Sequence, residues 1–228
     1  VFQQLYSMAD AVIVGKFVGT KGLAAVGATG TITFLIIGFL MGVTTGVTVL
    51  TSQKFGAGRM DEMRKTVGNA AILSAVIAVV MTAVSMLGMH RLLVFMHTPE
   101  DIFDGAYGYI MIICAGIFTQ VLYNLVSGIL RALGNSKTPL YFLILAAGLN
   151  IVLDLVFIIF FHWGAPGAAW ATVISQGVSG VLCLIYMWKA VPELKMKKED
   201  WYFNRDIAVK QISVGIPMGL QYSITAIG

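Results

Sequence analysis

Two carboxylates lie where a carboxylate is costly. Asp10 and Asp154 fall inside long apolar runs, whereas the other nine acidic residues fall in loops. An aspartate near a bilayer centre costs roughly 2.5–3.5 kcal/mol on insertion scales, so such residues turn inward and mark ion or proton paths. No Lys or Arg lies deep in an apolar run to neutralise them. Lys16 is nearest, but six helical residues place it about 9 Å along the axis and about 240° around it. The neutraliser must be a proton, a bound cation, or a group from elsewhere in a longer protein.

Polar neighbours follow the same spacing. Asn150 precedes Asp154 by four residues and Tyr6 precedes Asp10 by four, which puts each pair on one helix face. Two carboxylates, an amide oxygen and a hydroxyl from Thr172 would make a hard oxygen site suited to Na⁺. Two carboxylates in a poorly solvated pocket also repel each other, and one is then expected to hold a proton near neutral pH. Gln120, Asn124 and Gln176 also lie in apolar runs, where they could line a cavity or bridge helices.

The elements that position these residues are membrane helices. Of 228 residues, 58% are hydrophobic and 11% charged, against about 25% charged in soluble domains. The mean hydropathy is +0.86. A spanning helix needs about 20 apolar residues, and the charges leave seven such stretches. They are 1–15, the uncharged run between Lys21 and Lys54, 66–89, 105–130, about 138–161, about 166–188, and one from Ile207 onward. His162-Trp-Gly-Ala-Pro-Gly167 supplies the turn that divides the fifth from the sixth. Thr138-Pro139 is expected to cap the fifth helix, and Gly134-Asn135 to stop the fourth. Gly38, Gly42 and Gly46 form a small-residue stripe of the kind that lets helices approach closely in lipid.

Loop charge sets the orientation. Loops after odd-numbered helices hold three Lys or Arg and those after even-numbered helices hold twelve. The latter are therefore expected to be cytoplasmic, with helix 1 running outward. Counting from the helix ends puts Asp10, Asp154 and Thr172 about 9, 12 and 10 Å below the outer surface. The three would form one layer in the outer half of the membrane.

The remaining features bound the function. The net charge of +4 is concentrated in loops and does not indicate a nucleic-acid partner. Cys114 and Cys183 lie in apolar runs as packing residues, with neither a disulfide framework nor a metal-ligand spacing. His90, His97 and His162 fall at helix ends and read as interfacial. The charged segment 191–206 reads as a solvated cytoplasmic linker. The expected units are a six-helix region over 1–190, this linker, and the start of a second region over 207–228. Val1 and Gly228 both fall within apolar runs, so the sequence reads as a fragment.

Four motifs carry a family resemblance. They are Gln3-Gln-Leu-Tyr-Ser-Met-Ala-Asp-Ala-Val-Ile-Val-Gly15, Ser127-Gly-Ile-Leu-Arg-Ala-Leu-Gly-Asn-Ser-Lys-Thr-Pro-Leu140, Asn150-Ile-Val-Leu-Asp154 and Gly164-Ala-Pro-Gly-Ala-Ala-Trp-Ala-Thr172. In this order they resemble the multidrug and toxic compound extrusion (MATE) transporters, and most closely the prokaryotic DinF-like branch. The resemblance implies an all-α transmembrane fold of twelve helices in two six-helix lobes, of which this chain is the first lobe plus the start of helix 7. It implies a cation or proton site at Asp10, Asn150, Asp154 and Thr172, with Tyr6 and Asn124 as neighbours. It implies exchange of Na⁺ or H⁺ for an organic, often cationic, lipophilic compound across the bacterial inner membrane, with no cofactor and no enzymatic activity. The missing C-terminal lobe would be the main protein partner.

Two other readings use the same features. A lipid-linked oligosaccharide flippase would share the lobe without requiring the acidic pair. An intramembrane aspartyl protease also needs two membrane aspartates, but it needs a Tyr-Asp pair and a Gly-x-Gly-Asp motif. Here Ala9 precedes Asp10, and Val152-Leu153 precede Asp154.

Overall fold

The computed structural model describes the backbone of residues 2–225 and the side chains of residues 8–225. The described chain is helical, without strands. In order it forms α1 (Phe2–Phe17), α2 (Thr20–Gly56), α3 (Met60–Phe95), α4 (Glu100–Ala115), α5 (Ile117–Ala132), α6 (Lys137–Leu155), α7 (Gly164–Ala190) and α8 (Arg205–Thr225). A π-helical turn, Val156–Phe160, extends α6, and short 3₁₀ turns, Pro192–Leu194 and Lys198–Trp201, lie between α7 and α8.

The seven apolar stretches reappear as α1, α2, α3, the α4–α5 pair, α6, α7 and α8. Four of them, α2, α3, α6 with its π turn, and α7, are long and apolar enough to cross a membrane. The α4–α5 pair makes a fifth if its 44° bend lies within one span. The sequence reading placed one unbroken helix there. The break falls at Gly116, whose carbonyl accepts the Thr119 amide at 3.0 Å and the Thr119 hydroxyl at 2.8 Å. The next-turn amide, that of Gln120, is left at 3.4 Å from that carbonyl. A threonine competing for a backbone carbonyl bends a helix in this way.

The ends of helices have local causes. Gly134 closes α5 with φ of +84°, and the Asn135 amide donates to Leu130 O at 2.9 Å, the paired closure of a left-handed glycine stop. The start of α6 differs from expectation. Its first residue is Lys137, not Pro139, and the Asn135 side chain accepts the Thr138 amide at 3.1 Å. Pro139 is tolerated because amides of the first turn have no helical acceptor. His162 (φ +56°) and Gly164 (φ +62°) make the sharp connection into α7.

The two largest of four apolar clusters among the described residues hold the bundle together. One, containing Val14, Leu40, Met89, Ile110 and Ala168, joins α1, α2, α3, α4 and α7. The other, containing Val47, Met63, Leu125 and Leu194, lies toward the lysine-rich loops. The glycine stripe of α2 faces α8. A Cβ on Gly42 would strike the backbone of Met218 and Gly219, and one on Gly46 would strike that of Gly215.

Segment 191–206 corrects the expectation of a solvated linker. Leu194 and Asp200 are buried against α3. Asp200 accepts the Lys197 amide at 2.8 Å and lies 3.6 Å from Arg64 Nε. The opposite face, including Trp201, Tyr202 and Phe203, is exposed. Sequence composition registers the charges of such a segment but not that one of them has a buried partner.

Candidate cation site

The site is assembled from three helices distant in sequence. α1 contributes Asp10, α6 contributes Asn150 and Asp154 one turn apart, and α7 contributes Thr172. Small residues around Thr172 permit this approach: Ala168, Ala169 and Ala171 are fully buried.

The polar atoms form a directed chain. Thr172 Oγ1 donates to Asp10 Oδ2 at 3.2 Å and also lies 3.1 Å from its own helix carbonyl, Ala168 O. Asn150 Nδ2 donates to Thr172 Oγ1 at 3.4 Å. The carboxyls of Asp10 and Asp154 face each other closely enough to interact directly. Asp10, Asn150 and Asp154 are 5%, 1% and 0% exposed.

What the pocket lacks is donors. Asp10 Oδ1, Asn150 Oδ1 and both oxygens of Asp154 are buried without a hydrogen-bond partner among the described residues. Ionised carboxylates only accept, so two facing carboxylates need a proton or cation between them. No Lys or Arg forms an ion pair with either aspartate among the described residues. Lys16 lies instead 5.7 Å from the ring centroid of Phe17. The residues present therefore fit a small cation held by oxygens: two carboxylates, the Asn150 carbonyl and the Thr172 hydroxyl.

The other candidates separate. Asn124 lies on α5, 6% exposed, and its Nδ2 has no partner among the described residues; it hydrogen-bonds to none of the four. Tyr6 belongs to α1 one turn before Asp10, but its side chain lies outside the described ones. Gln120 and Gln176 line a cavity of about 20 Å³ with Thr172, Gly116, Ile37 and Leu40, room for one water molecule. The bend at Gly116 turns α5 toward this cavity, a feature invisible to a reading that kept helix 4 straight. Of the three histidines, His90 packs edge-on against Phe103 and Tyr107 at 5.4 and 5.7 Å.

Comparison with known proteins accords with this architecture. The MatE family model matches residues 1–156. The probable multidrug resistance protein YpnP of Bacillus subtilis is 31% identical over 224 residues, which is 97% of this chain and 49% of YpnP. An inward-facing multidrug resistance MATE transporter matches with TM-score 0.90 and 29% identity, over 99% of this chain and 51% of its own. An outward-facing one matches with TM-score 0.90 and 28% identity, over 99% of this chain and 50% of its own. The chain thus spans about half the length of the relatives it matches. Since the family model covers most of its residues, the chain belongs to the MatE family of multi-pass membrane transporters, which are not enzymes.

Proposed function

We propose that the intact protein is a secondary antiporter that exports organic, often cationic, lipophilic compounds in exchange for Na⁺ or H⁺. The observation that carries this reading is the facing pair Asp10 and Asp154, both buried and with no ion-pair partner among the described residues. Such a pair alternates between two states, one with a cation or proton between the carboxyls and one without. A ligand drives a conformational change only by binding the two conformations differently. Here an empty pair leaves two like charges unscreened in a dry pocket, which favours whatever conformation admits a cation or water. Filling the pair favours the packed arrangement in which α1, α6 and α7 meet.

Because α1 supplies one carboxyl and α6 the other, occupancy is coupled to how α1 packs. Thr172 transmits the state of Asp10 to α7 and Asn150 through hydrogen bonds. The twelve basic residues of the even loops support a cytoplasmic placement for those loops and for segment 191–206. In that orientation the site takes its cation from outside, across the inner membrane of a bacterium, and releases it inward.

The test is gradient-driven extrusion of a fluorescent lipophilic cation from liposomes holding the full-length protein. An imposed Na⁺ or H⁺ gradient should drive extrusion in the wild type and fail in Asp154→Asn. Equal extrusion by both would overturn the role of the pair. No extrusion by either would shift the reading to the lipid-linked oligosaccharide flippases that share the lobe.

A further inference from the structure

Trp201, Tyr202 and Phe203 are consecutive exposed aromatic residues, and the backbone is pinned on both sides of them. Before them, the Asp200 carbonyl packs so closely on Gly68 of α3 that a Cβ there would strike it. After them, the Asn204 amide donates to Asn69 Oδ1 at 3.1 Å. The triplet is therefore held on the face of α3 that carries Gly68 and Asn69, near the start of that helix.

The rest of that face identifies its surroundings. Val76, Val80 and Leu87 follow Asn69 by 7, 11 and 18 residues, which brings each within about 20° of it around the helix axis. Val79 stands over Gly68 in the same way. All four are exposed, Leu87 by 84%. Only 28% of the most apolar stretch of α3 is buried, against 44% in α2 and in α7. Aliphatic side chains exposed along a span face lipid tails. The triplet thus stands at the foot of a lipid-facing strip, about 10 Å below Val76 along the axis, where the charges of residues 61–65 end the apolar run. Trp and Tyr concentrate at that level in membrane proteins. α8 lies instead on α2 through Gly215 and Gly219, with Gln211 Nε2 donating to Val47 O of α2 and Thr66 O of α3, and it leaves the strip uncovered.

The exposed charges around the triplet are mostly cationic. Lys195, Lys197, Lys198 and Arg205 flank it, and Lys65 lies one turn before Asn69 on the same face of α3. None of these five forms an ion pair among the described residues. The exposed acids of the segment are Glu193, Glu199 and Asp206, while Asp200 is buried and faces Arg64.

We propose that segment 195–205 is a docking surface for anionic phospholipid. Trp201, Tyr202 and Phe203 enter the headgroup layer, and Lys195, Lys197, Lys198, Arg205 and Lys65 bind the lipid phosphates. Basic residues beside a span are attracted to anionic headgroups in this way. The lipid then moors to the bilayer surface the segment that leads from α7 to α8. The inference needs the membrane placement of α3 and not the antiporter reading.

The test uses the full-length protein in vesicles of phosphatidylcholine and phosphatidylglycerol in equal parts. Tyr202→Cys carries a fluorophore, with the other cysteines replaced by Ala. Spin-labelled phosphatidylglycerol should quench it at least about twofold more than spin-labelled phosphatidylcholine, as a basic surface among headgroups requires. Lys195→Gln, Lys197→Gln and Lys198→Gln together should abolish that preference. Equal quenching by the two lipids would overturn the proposal. Absence of lipid quenching would overturn it as well: quenching by aqueous iodide in its place would mean a solvated segment, and quenching by neither would mean that the second half of the protein covers the patch.

A second measurement needs no label. The Tm of the full-length protein in detergent should rise on titration with phosphatidylglycerol and not with phosphatidylcholine, since a lipid that binds the folded state stabilises it. The triple Gln variant changes only exposed side chains, so it should fold. Its titration midpoint should move up about tenfold or more, since one lysine at an anionic surface is worth about fivefold. An unmoved midpoint, or equal rises with the two lipids, would overturn the proposal.

Discussion

Thr172 and Asp10 are 162 positions apart, and a 3.2 Å hydrogen bond joins them. The Thr172 hydroxyl has one hydrogen, and both Ala168 O and Asp10 Oδ2 lie within its reach. Asn150 in turn donates to the hydroxyl oxygen. The hydroxyl therefore reports the charge state of Asp10 to both α6 and α7. Under the proposed antiport, a cation between the carboxyls would draw the Thr172 oxygen as a ligand, and its hydrogen would turn to Ala168 O.

Replacing Thr172 separates these roles. Thr172→Ser keeps the hydroxyl and should leave the ion concentration for half-maximal extrusion close to wild type. Thr172→Val removes it and should raise that concentration about tenfold, the worth of one hydrogen bond in a buried site. Titration of extrusion against Na⁺ or pH in liposomes measures both. Equal values for Ser and Val would remove the hydroxyl from the site.

Neutralising either carboxyl should uncouple transport. Asp10→Asn and Asp154→Asn place an amide where a cation or proton must be exchanged, and each should cut gradient-driven extrusion by about 100-fold or more. The double variant should be no worse than either single one, because the two groups act as a unit. Additive losses would show two independent sites.

Removing the partner of a buried charge should weaken segment 191–206 specifically. Arg64→Ala leaves Asp200, 4% exposed, without its cation at 3.6 Å. The expected loss is about 2 kcal/mol, below the range for fully buried pairs because solvent reaches part of Arg64. Thermal unfolding in detergent and protease cutting within 191–206 would both register it. An unchanged cutting rate would mean the segment is held by Leu194 and the Asn204–Asn69 hydrogen bond and not by the ion pair.

The loop between α2 and α3 carries an acid-sensitive contact. A hydrogen bond from Lys54 Nζ to Glu62 Oε2 at 2.5 Å holds the Glu62 carboxyl below the usual carboxylate range, with Arg59 and Lys65 adding to the effect. A lowered value means the contact stabilises the fold above the unfolded value of 4.5 and is lost as pH falls through the folded value. The Tm difference between wild type and Glu62→Gln should therefore be present at neutral pH and vanish in acid. A difference that persists in acid would assign it to packing.

The glycine stripe should be intolerant of size. Gly46→Ala puts a methyl group against the Gly215 backbone and should cost about 1–3 kcal/mol, the usual penalty of overpacking. Gly27→Ala, with open space around it on the same helix, should be neutral or slightly stabilising in the same thermal unfolding measurement. Equal effects would show that helix propensity and not contact with α8 sets the cost.

The sequence by itself determined the class, the helices and the identity of the polar set. Length and apolarity suffice for spanning helices because the bilayer imposes both. Asp10 and Asp154 stood out because a carboxylate in an apolar run has no other solution than an interior partner. Counting rise per residue from the helix ends put Asp10, Asp154 and Thr172 at one expected depth, and in the structure a hydrogen bond joins Thr172 to Asp10. The tertiary structure decided what depends on direction around an axis and on contacts between distant segments. It turned Gln120 into the cavity beside Thr172 through a bend at Gly116 and left Asn124 outside the hydrogen-bonded set. It folded Asp200 onto Arg64 and seated Gln211 between α2 and α3. None of these has a periodic signature, because each is settled by which side chain finds a partner once the helices have packed.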